Sequence, residues 1–577
     1  MPDSESLDIL RRRLAVARGE APADVCIKNA RVLNVLSGEI HEADVAVADG
    51  VVVGFAGGEA ATVVEADGRY LCPGFIDGHI HIESTLLSPP VFARAVAPHG
   101  TCAVVSDPHE IANVLGLAGI EYMLACSRDV PVTCYFMMPS CVPATDMATS
   151  GARIGASDVA AMLARYPDRI LGLAEVMNYP GVVGGDEDML RKLRAARGRV
   201  IDGHAPGLAG RALDAYVTAG PGSDHECTEL EEAREKLRRG LHVMIRQGST
   251  EQNLDTLLPL VTADNSTQFS LVSDDRDPVD LSREGHINAL VRQAVSRGVP
   301  PLRAVAMASI NPARYFGLRR RGAIAPGYRA DFMLVTDLTT FDITDVFLNG
   351  RHLADWEFAD HSCLTPPRAM RVGGELTEAG FAIPASGPRH RVIGLIPGQI
   401  VTEARIVEAR IANGLAVADP ERDIAKLAVI ERHKATGNMG LGFVSGLGLK
   451  RGAVAGTVAH DAHNLIVAGV NDADMVLAAR TLMVSGGGFA VVADGKVLGQ
   501  VRLPVAGLMS DAPLEVVTAQ LAALGQAYRQ VAGAGPEALA HPFMAMSFLS
   551  LEVIPSLKLT DQGLFDVTTF SRVGLFA

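Results

Sequence analysis

The sequence predicts an α/β protein whose central part is a (β/α)8 TIM barrel. Between residues 73 and 316, eight short apolar runs alternate with helix-like stretches, which is the pattern of repeated strand–helix units. This interval has the usual length of such a barrel, about 250 residues. The sixth run is polar and Gly-rich, and it is assigned by its place in the series. The runs are residues 75–81, 101–107, 132–138, 170–176, 199–205, 222–226, 242–248 and 269–275.

Strand-like segments lie on both sides of the barrel region. Residues 25–72 have the period of β-strands, and the same character returns at 323–353. A β-sandwich built from both flanks of an inserted barrel explains this order. The 577-residue chain also exceeds the roughly 250 to 300 residues at which single cores stop growing. We therefore expect a composite β-sandwich domain (1–72 with 317–360), a catalytic barrel (73–316) and a C-terminal α+β domain (365–577).

The first residues of the chain predict a short helix over 5–18. Leu7, Leu10 and Leu14 share one helical face, and Gly19 supplies a stop signal. We expect this face to dock against the rest of the protein. The segment places acidic residues before its arginines and has no long apolar stretch, so it lacks the charge order of a signal peptide.

Charge and composition exclude several classes of partner. The formal charge of −14 disfavours nucleic acid and anionic membranes, because both require clustered Lys and Arg. No apolar run approaches the roughly 18 residues that span a bilayer. The eight cysteines contain no C-x-x-C pair, which fits a reducing compartment. We expect a cytoplasmic protein that binds a small molecule and forms a homo-oligomer, with a dimer favoured.

Metal-ligand side chains stand at the ends of five predicted barrel strands. Catalytic groups of TIM barrels lie at these carboxyl ends. Residues two apart on a strand face the same side, so the H-x-H pair of the first run can face one ion. Such a pair is a weak signal by itself, because 16 histidines in 577 residues give on the order of 0.4 pairs by chance. The six residues are His79, His81, Glu175, His204, His225 and Asp274.

The chemistry of this set indicates a metal site. Neutral imidazoles and carboxylates are ligands for Zn, Fe(II) or Mn, and a carboxylate such as Glu175 can bridge two ions. Affinity order alone favours Zn over Mn or Fe, but the ion that is bound in a cell also depends on availability and geometry. The sequence therefore predicts a metal-dependent hydrolase with a two-metal site.

Longer motifs make the chain similar to a known family. The pattern of H-x-H on strand one, a bridging residue on strand four, His on strands five and six and Asp on strand eight resembles the amidohydrolase superfamily. Within it, the chain most resembles the adenine deaminases. The shared stretches are PGFIDGHIHIESTLLSP (73–89), SDPHEIANVLG (106–116), GLAEVMN (172–178), DGHAPGL (202–208), SDHE (223–226), SDDR (273–276) and AGTVAHDAHNLIVAG (455–469).

The resemblance implies hydrolytic deamination of adenine to hypoxanthine and ammonia, as in purine salvage. It also implies two divalent ions per chain, Mn or Fe with Zn as the alternative, which lower the pKa of a bound water toward about 7. Asp274 would take the proton of the attacking hydroxide and pass it to the leaving ammonia. Glu110, in SDPHE after the second run, would donate a proton to ring N1.

Further residues are candidates for substrate binding. Glu83 and Ser84 follow the H-x-H pair and would hold either the purine edge or the surroundings of the metal. His460 and His463 lie in the C-terminal domain and reach the site only if that domain covers the barrel mouth. Next to Glu110, His109 has the opposite strand parity, so we expect it at most behind the direct ligands.

Several related hydrolases are excluded by single residues. Cytidine-deaminase-type enzymes require a later P-C-x-x-C, which this sequence lacks. Adenosine-deaminase-type barrels carry H-A-G-E on strand five, where the position of the Glu is occupied here by Gly207. Dihydroorotase relatives need a Lys on strand four, and ILGLAEV has none.

Two alternatives stay open. A deacetylase-type amidohydrolase acting on an N-acyl substrate shares the strand-four Glu, but it needs a phosphate site, for which only Arg246 and Arg276 lie at strand ends. A non-catalytic barrel with an interaction role would have lost its metals, whereas every expected ligand position is filled here.

Overall fold

The computed structural model describes residues 6–358, 369–396, 399–532, 539 and 541–577. The described chain begins with a helix that is capped by the Ser6 hydroxyl, which accepts a hydrogen bond from the Ile9 N–H. Five strands of a first β-sheet follow it. These elements are α1 (Leu7–Ala17), β1 (Ala23–Asn34), β2 (Glu39–Ala48), β3 (Val51–Gly54), β4 (Ala60–Glu65) and β5 (Tyr70–Pro73).

Eight parallel strands then form the barrel, in agreement with the eight predicted runs. They are β6 (Phe75–Ile80), β7 (Thr101–Ser106), β8 (Thr133–Pro139), β9 (Ile170–Val176), β10 (Val200–Gly203), β11 (Ser223–Asp224), β12 (His242–Arg246) and β13 (Phe269–Val272). Strands β6 to β10 pair in chain order, as do β11 to β13. The Gly222 N–H donates to the Ile201 carbonyl at 2.9 Å, and the Asp274 N–H donates to the His79 carbonyl at 3.0 Å. These two bonds join the arcs and close the ring.

Helices connect the barrel strands. The helix after β7 begins at His109, so the chain turns from strand to helix within two residues of Ser106. The connecting helices are α2 (Pro89–Val96), α3 (His109–Leu115), α4 (Leu117–Cys126), α5 (Ala156–Arg165), α6 (Tyr179–Gly184), α7 (Glu187–Ala195), α8 (Gly210–Ala219), α9 (Leu230–Arg238), α10 (Leu254–Leu257), α11 (Pro278–Glu284), α12 (Ile287–Ser296), α13 (Pro301–Met307) and α14 (Ile310–Tyr315).

After the barrel, three strands return to the first sheet. They are β14 (Phe332–Val335), β15 (Ile343–Leu348) and β16 (Arg351–His352). Strand β14 pairs antiparallel with β5, so one eight-stranded sheet contains strands from before and after the barrel. Because strands from both sides of the barrel form one sheet, the predicted composite β-domain is confirmed as part of the fold.

Helix α1 forms where it was predicted, but its predicted docking face is wrong. Leu7, Leu10 and Leu14 are 67%, 43% and 49% exposed. The helix is attached instead by buried Val16 and by Arg12, which pairs with Asp24 and Asp49 of the β-domain. An amphipathic pattern shows which residues share a face, but it does not show that a neighbour covers that face.

The C-terminal part is an α+β unit, as predicted. The elements are β17 (Ile383–Pro384), β18 (Arg389–Leu395), β19 (Thr402–Glu408), β20 (Ile411–Ala412), β21 (Leu415–Ala416), β22 (Ile424–Ile430), β23 (Met439–Ser445), β24 (Ala453–Gly456), β25 (Leu465–Gly469), α15 (Asp472–Ser485), β26 (Gly488–Ala493), β27 (Lys496–Arg502), α16 (Leu514–Ala532), α17 (Pro542–Ser547), β28 (Leu557–Thr560), β29 (Gly563–Asp566) and β30 (Ser571–Arg572). The main sheet of the unit has eight strands in the order β19-β18-β23-β22-β25-β24-β26-β27.

This C-terminal unit packs against loops at the carboxyl ends of the barrel strands. The Ser510 N–H donates to the Leu86 carbonyl at 2.7 Å, in the loop that follows β6. The Thr149 hydroxyl donates to Asp561 at 2.6 Å, in the loop that follows β8. The unit therefore covers the face of the barrel on which the candidate catalytic residues lie.

The boundaries between the three predicted domains stay a prediction. Residue 5, at the start of the predicted helix, lies outside the described residues, and so do the predicted limits at 360 and 365. Among the helices of the described residues, none is both long and apolar enough to cross a membrane.

Candidate active site

The six predicted ligand residues meet at one end of the barrel. The Glu175 carboxylate lies at the centre and is only 3% exposed. Its Oε1 is 3.4 Å from His81 Nε2, and its Oε2 is 3.2 Å from His225 Nε2 and 2.8 Å from His204 Nδ1. On the other side of His81, the Asp274 Oδ1 is 3.3 Å from Nε2. The structure thus brings together side chains from five strand ends.

The spacing of these atoms is typical of ligands that share an ion. Two ligands bound at roughly 2.0 to 2.2 Å to one ion lie about 3.0 to 3.4 Å apart. The Nε2 atom of His79 is 3.6 Å from Asp274 Oδ1, and it has no hydrogen-bond partner among the described residues. A buried imidazole nitrogen without a partner is rare in folded proteins. The donor set and its spacing therefore fit divalent metal ions.

The backbone fixes which nitrogen of His81 faces the cluster. Its Nδ1 lies 3.0 Å from the Asp107 carbonyl oxygen, to which a protonated Nδ1 donates. This leaves Nε2 as the lone-pair nitrogen toward Glu175 and Asp274, the usual arrangement behind a metal-bound histidine. Asp274 itself has a φ of +56°, a left-handed conformation that is strained for a residue with a side chain.

His109 joins the cluster, which the sequence reasoning missed. Its Nδ1 lies 3.2 Å from Glu175 Oε1 and 3.1 Å from Asp107 Oδ2. The prediction from strand parity that His109 lies behind the direct ligands was wrong, because strand β7 ends at Ser106 and His109 is the first residue of helix α3. The side-chain alternation of a strand does not continue into a helix. The run Asp107-Pro108-His109 carried the signal, as a carboxylate and an imidazole just past a strand end.

A second cluster joins the barrel to the C-terminal unit. Glu110, the residue after His109, receives His460 and His463 from the loop between β24 and β25. His460 Nδ1 is 2.7 Å from Glu110 Oε1, and His463 Nε2 is hydrogen-bonded to Glu110 Oε2. All three residues are at least nine-tenths buried. The C-terminal unit therefore covers the barrel mouth, and His460 and His463 reach the site as the sequence analysis required.

Buried charges act on the acid–base properties of this second cluster. Burial by itself would raise the pKa of Glu110, but the charges of His460, His463 and His109 hold it well below its ordinary value. Burial would lower the pKa of His460, but the Glu110 carboxylate raises it to about 9. Burial lowers the pKa of His463 to about 4. The pair of Glu110 and His460 thus shares one proton at neutral pH.

Arg246 orients Asp274. Its guanidinium donates to Asp274 Oδ2 at 3.0 Å and also binds Glu226, the residue that follows His225. Since Oδ2 is occupied by this bond, Oδ1 is the oxygen turned toward the histidines. An arginine between two carboxylates also offsets part of their mutual repulsion.

A buried ion pair supports the ends of strands β10 and β11. The Lys236 ammonium, with no exposed surface, lies 3.1 Å from Asp224 Oδ2 and donates to the Ala205 carbonyl at 2.8 Å. Asp224 Oδ2 in turn accepts from the Ala205 N–H at 2.9 Å. These bonds fix the backbone on the C-terminal side of His204 and directly before His225.

Glu83 and Ser84 lie beside the site rather than on the cavity wall. Glu83 is buried, and its Oε1 accepts a hydrogen bond from the Ile111 N–H of helix α3 at 3.2 Å. The Ser84 hydroxyl donates to Asp275, the neighbour of Asp274. Burial raises the pKa of Glu83 to about 7. Their contacts are to the surroundings of the metal cluster, which is one of the two roles expected for them.

The two clusters open into one cavity of about 1060 Å³. The barrel contributes polar residues to its wall, among them His81, Glu175 and Asp274. The C-terminal unit contributes His460 and Asp461 together with an apolar wall. Cavities of this kind, apolar with a few placed polar groups, are typical of small-molecule sites. The apolar residues of this wall include Leu395, Ile396, Met544, Phe548, Leu551 and Ile554.

Fold and cluster together define the class of protein. A (β/α)8 barrel that presents histidines and carboxylates at its strand ends, around a central Glu, is the framework of the metal-dependent amidohydrolases. A family model described as the amidohydrolase family matches residues 70–353. A second model, described as the adenine deaminase C-terminal domain, matches residues 399–571.

Full-length relatives narrow this class. The chain is 55% identical over 564 residues to an adenine deaminase of Oleidesulfovibrio alaskensis, and the alignment covers 98% of both chains. It is 48% identical to an adenine deaminase of Desulfatibacillum aliphaticivorans, with 98% of this chain and 99% of that one covered. A crystal structure of an adenine deaminase aligns over 57% of this chain and 99% of its own, at 15% identity and a TM-score of 0.44. On the strength of the sequence relatives, the chain belongs to the adenine deaminase family.

Proposed function

We propose that this protein hydrolyses adenine to hypoxanthine and ammonia, a reaction of purine salvage. One observation carries the proposal, which is that the metal-spaced cluster around Glu175 and the proton-sharing pair of Glu110 and His460 face the same cavity. Deamination at C6 requires attack of hydroxide on that carbon and a proton for ring N1, the nitrogen bonded to it. The names of the full-length relatives support the choice of adenine.

The proposed metal ligands are the six residues that the sequence predicted, all of which lie in the cluster around Glu175. Two divalent ions held by these residues would supply hydroxide at neutral pH by lowering the pKa of water. We favour Mn or Fe because of the resemblance to the adenine deaminases, with Zn as the alternative, since mixed imidazole and carboxylate sites accept all three ions. The ligands are His79, His81, Glu175, His204, His225 and Asp274.

Asp274 is the proposed proton carrier between water and the leaving group. Its Oδ1 lies among the histidines while Arg246 holds its Oδ2. A carboxylate anchored in this way keeps one oxygen free to take a proton from the attacking water. Passing that proton to the amino nitrogen converts a poor leaving group into ammonia.

Glu110 is the proposed acid for ring N1. Addition at C6 places electron density on N1, which a proton from the Glu110 and His460 pair relieves. Both residues line the cavity, and their 2.7 Å contact allows the shared proton to move to the Glu110 carboxylate. His463 binds the second oxygen of Glu110 and does not line the cavity, so we assign it to holding the carboxylate.

The deacetylase alternative lacks a phosphate site in the described residues. Its two candidate arginines are both engaged by the protein. Arg246 binds Asp274 and Glu226, and Arg276 binds Glu284 and the Gly285 carbonyl. No specific observation therefore favours an N-acyl substrate.

Two further parts of the proposal concern the protein in the cell. The negative charge and the absence of a C-x-x-C pair support a cytoplasmic location without nucleic-acid partners. A homodimer is proposed because closed two-fold assemblies are the commonest form of soluble oligomers.

An ammonia-release assay tests the function directly. Protein loaded with Mn or Fe is assayed against adenine, adenosine, guanine and a panel of N-acyl compounds. We expect release of ammonia from adenine, with kcat/KM at least about 100-fold higher than for the other purines. Turnover of an N-acyl compound without turnover of adenine would contradict the proposal.

A further inference from the structure

We propose that Asp461 is a substrate-binding residue, whose carboxylate accepts a hydrogen bond from an N–H group of the bound purine. This inference rests on the proposed function, because it names a contact of the substrate in the same cavity. It adds a residue from the C-terminal unit to a site whose other predicted polar groups come mainly from the barrel.

Asp461 is a buried carboxylate on the wall of the active-site cavity. It lines the cavity together with His81, Glu110 and Glu175, and only 6% of the residue is exposed. Its Oδ2 has no hydrogen-bond partner among the residues that the structure describes. Leaving a buried polar atom unpaired costs about 1 to 3 kcal/mol, and more if the group is charged. A ligand that donates to this oxygen removes that cost.

The loop that carries Asp461 is held on both sides. The preceding residue, His460, binds Glu110 through its ring and the Ser547 carbonyl through its N–H at 3.0 Å. On the other side, the His463 N–H donates to the Ala459 carbonyl at 2.7 Å, and its ring binds Glu110. Because these bonds anchor the loop to the barrel, Asp461 is presented to the cavity by a fixed backbone.

The charges around Asp461 select the chemistry of its partner. Burial raises the pKa of Asp461 to about 6, and of the nearby charges those of His109 and His460 lower it while those of Glu110 and Glu175 raise it. The group is therefore largely ionised at neutral pH and acts as an acceptor. An anionic ligand would be repelled by these carboxylates, whereas a neutral heteroaromatic base offers ring and amino N–H donors. Free adenine belongs to this class.

The same unit offers a matched control. Glu552 is also buried, at 2% exposure, and its Oε2 also has no hydrogen-bond partner in the described part of the chain. Its Oε1 accepts from the Thr145 hydroxyl at 2.8 Å. Unlike Asp461, it is absent from the cavity wall. Any general effect of replacing a buried acid by its amide in this unit should thus appear in both variants.

The test compares Asp461→Asn with Glu552→Gln in the metal-loaded, full-length protein. We expect Asp461→Asn to raise the KM for adenine and to lower kcat/KM by about 10- to 100-fold, the loss of a hydrogen bond to a charged group. Equilibrium dialysis with hypoxanthine should show a similar loss of affinity. Metal content should match the wild type and the melting temperature should not fall below it, and Glu552→Gln should retain kcat/KM within about threefold.

Two results would overturn the inference. One is an Asp461→Asn variant with wild-type KM and wild-type hypoxanthine binding. The other is an equal loss in Asp461→Asn and Glu552→Gln, which would assign both to structure. If Asp461→Asn folds poorly, Asp461→Ser gives the same comparison with a smaller polar side chain. A wild-type protein that does not deaminate adenine at all would instead refute the proposed function.

Discussion

The molecule contains two clusters of histidine and carboxylate that share a residue type but differ in spacing. Around Glu175 and Asp274, most nitrogen–oxygen distances to the histidines lie between 3.2 and 3.6 Å. Around Glu110, His460 Nδ1 lies at 2.7 Å and His463 is within direct hydrogen-bond contact. The first spacing leaves room for an ion between the ligands, while the second is filled by protons.

The difference also appears in which atoms are satisfied. In the first cluster, His79 Nε2 and His225 Nδ1 are buried without a hydrogen-bond partner among the described residues. In the second, both Glu110 oxygens are paired with imidazoles. One cluster therefore needs a ligand to complete it, and the other is complete by itself. The same two kinds of side chain, imidazole and carboxylate, can therefore form a metal site or an acid–base pair. The nitrogen–oxygen distances that distinguish the two differ by less than 1 Å.

The largest effect is expected from Asp274→Asn, in the first cluster. The amide keeps an oxygen near the histidines but cannot take a proton, so we expect folded protein that binds metal weakly or partially and loses about 10³-fold in kcat. Steady-state kinetics together with metal analysis measure both quantities. A variant with full activity would remove Asp274 from the proposed proton transfer.

Glu110→Gln is expected to have a smaller but distinct effect. The amide retains contacts to His460 and His463 but holds no transferable proton, so kcat should fall by about 10²-fold while metal content stays at the wild-type level. This split between turnover and metal content separates the two clusters. Unchanged turnover would return Glu110 to a purely structural role.

His463→Gln tests whether the second cluster positions its carboxylate. His463 reaches the substrate only through Glu110, so we expect a loss of about tenfold in kcat, less than for Glu110→Gln, because one hydrogen bond of the carboxylate is kept by His460. If His463 acts through Glu110, the double variant should be no worse than Glu110→Gln alone. Additive losses would show that His463 has an independent role.

The last prediction concerns the stability of the fold and a carboxylate that belongs to neither cluster. Burial raises the pKa of Glu552 from 4.5 to about 8. A group with a raised pKa stabilises the fold at low pH, and this stability is lost as the pH rises toward 8, since the unfolded chain ionises first. We therefore expect Glu552→Gln to be more stable than the wild type at pH 8 by about 4 kcal/mol, with little difference near pH 4. Denaturant unfolding at both pH values measures this, and an equal difference at both would contradict it.

The barrel and its ligands could be predicted because both follow local rules. Alternation of strand and helix signals gave the eight units, and barrel geometry places strand ends together, so His79, Glu175 and Asp274 could be grouped from their positions in the sequence. Even the two-residue strand Ser223–Asp224 was found by its place in the series.

Three features of the structure could not be predicted from the sequence, each for a physical reason. Strand parity was applied to His109, although the strand ends three residues earlier and a helix begins there. The docking face of helix α1 required a neighbour that the amphipathic pattern does not specify. The loop with Asp461 approaches Glu110 across 350 residues of sequence, and no local pattern fixes such a contact. Only the tertiary packing of the C-terminal unit on the barrel shows it.

The most direct test of the difference between the clusters is a metal count. Mass-spectrometric analysis of wild type, Glu175→Gln and Glu110→Gln, each loaded with Mn and freed of unbound metal, gives the ions per chain. We predict about two ions for the wild type and for Glu110→Gln, and about one or fewer for Glu175→Gln. Loss of an ion in Glu110→Gln, or two ions retained in Glu175→Gln, would contradict the assignment of metal to the Glu175 cluster alone.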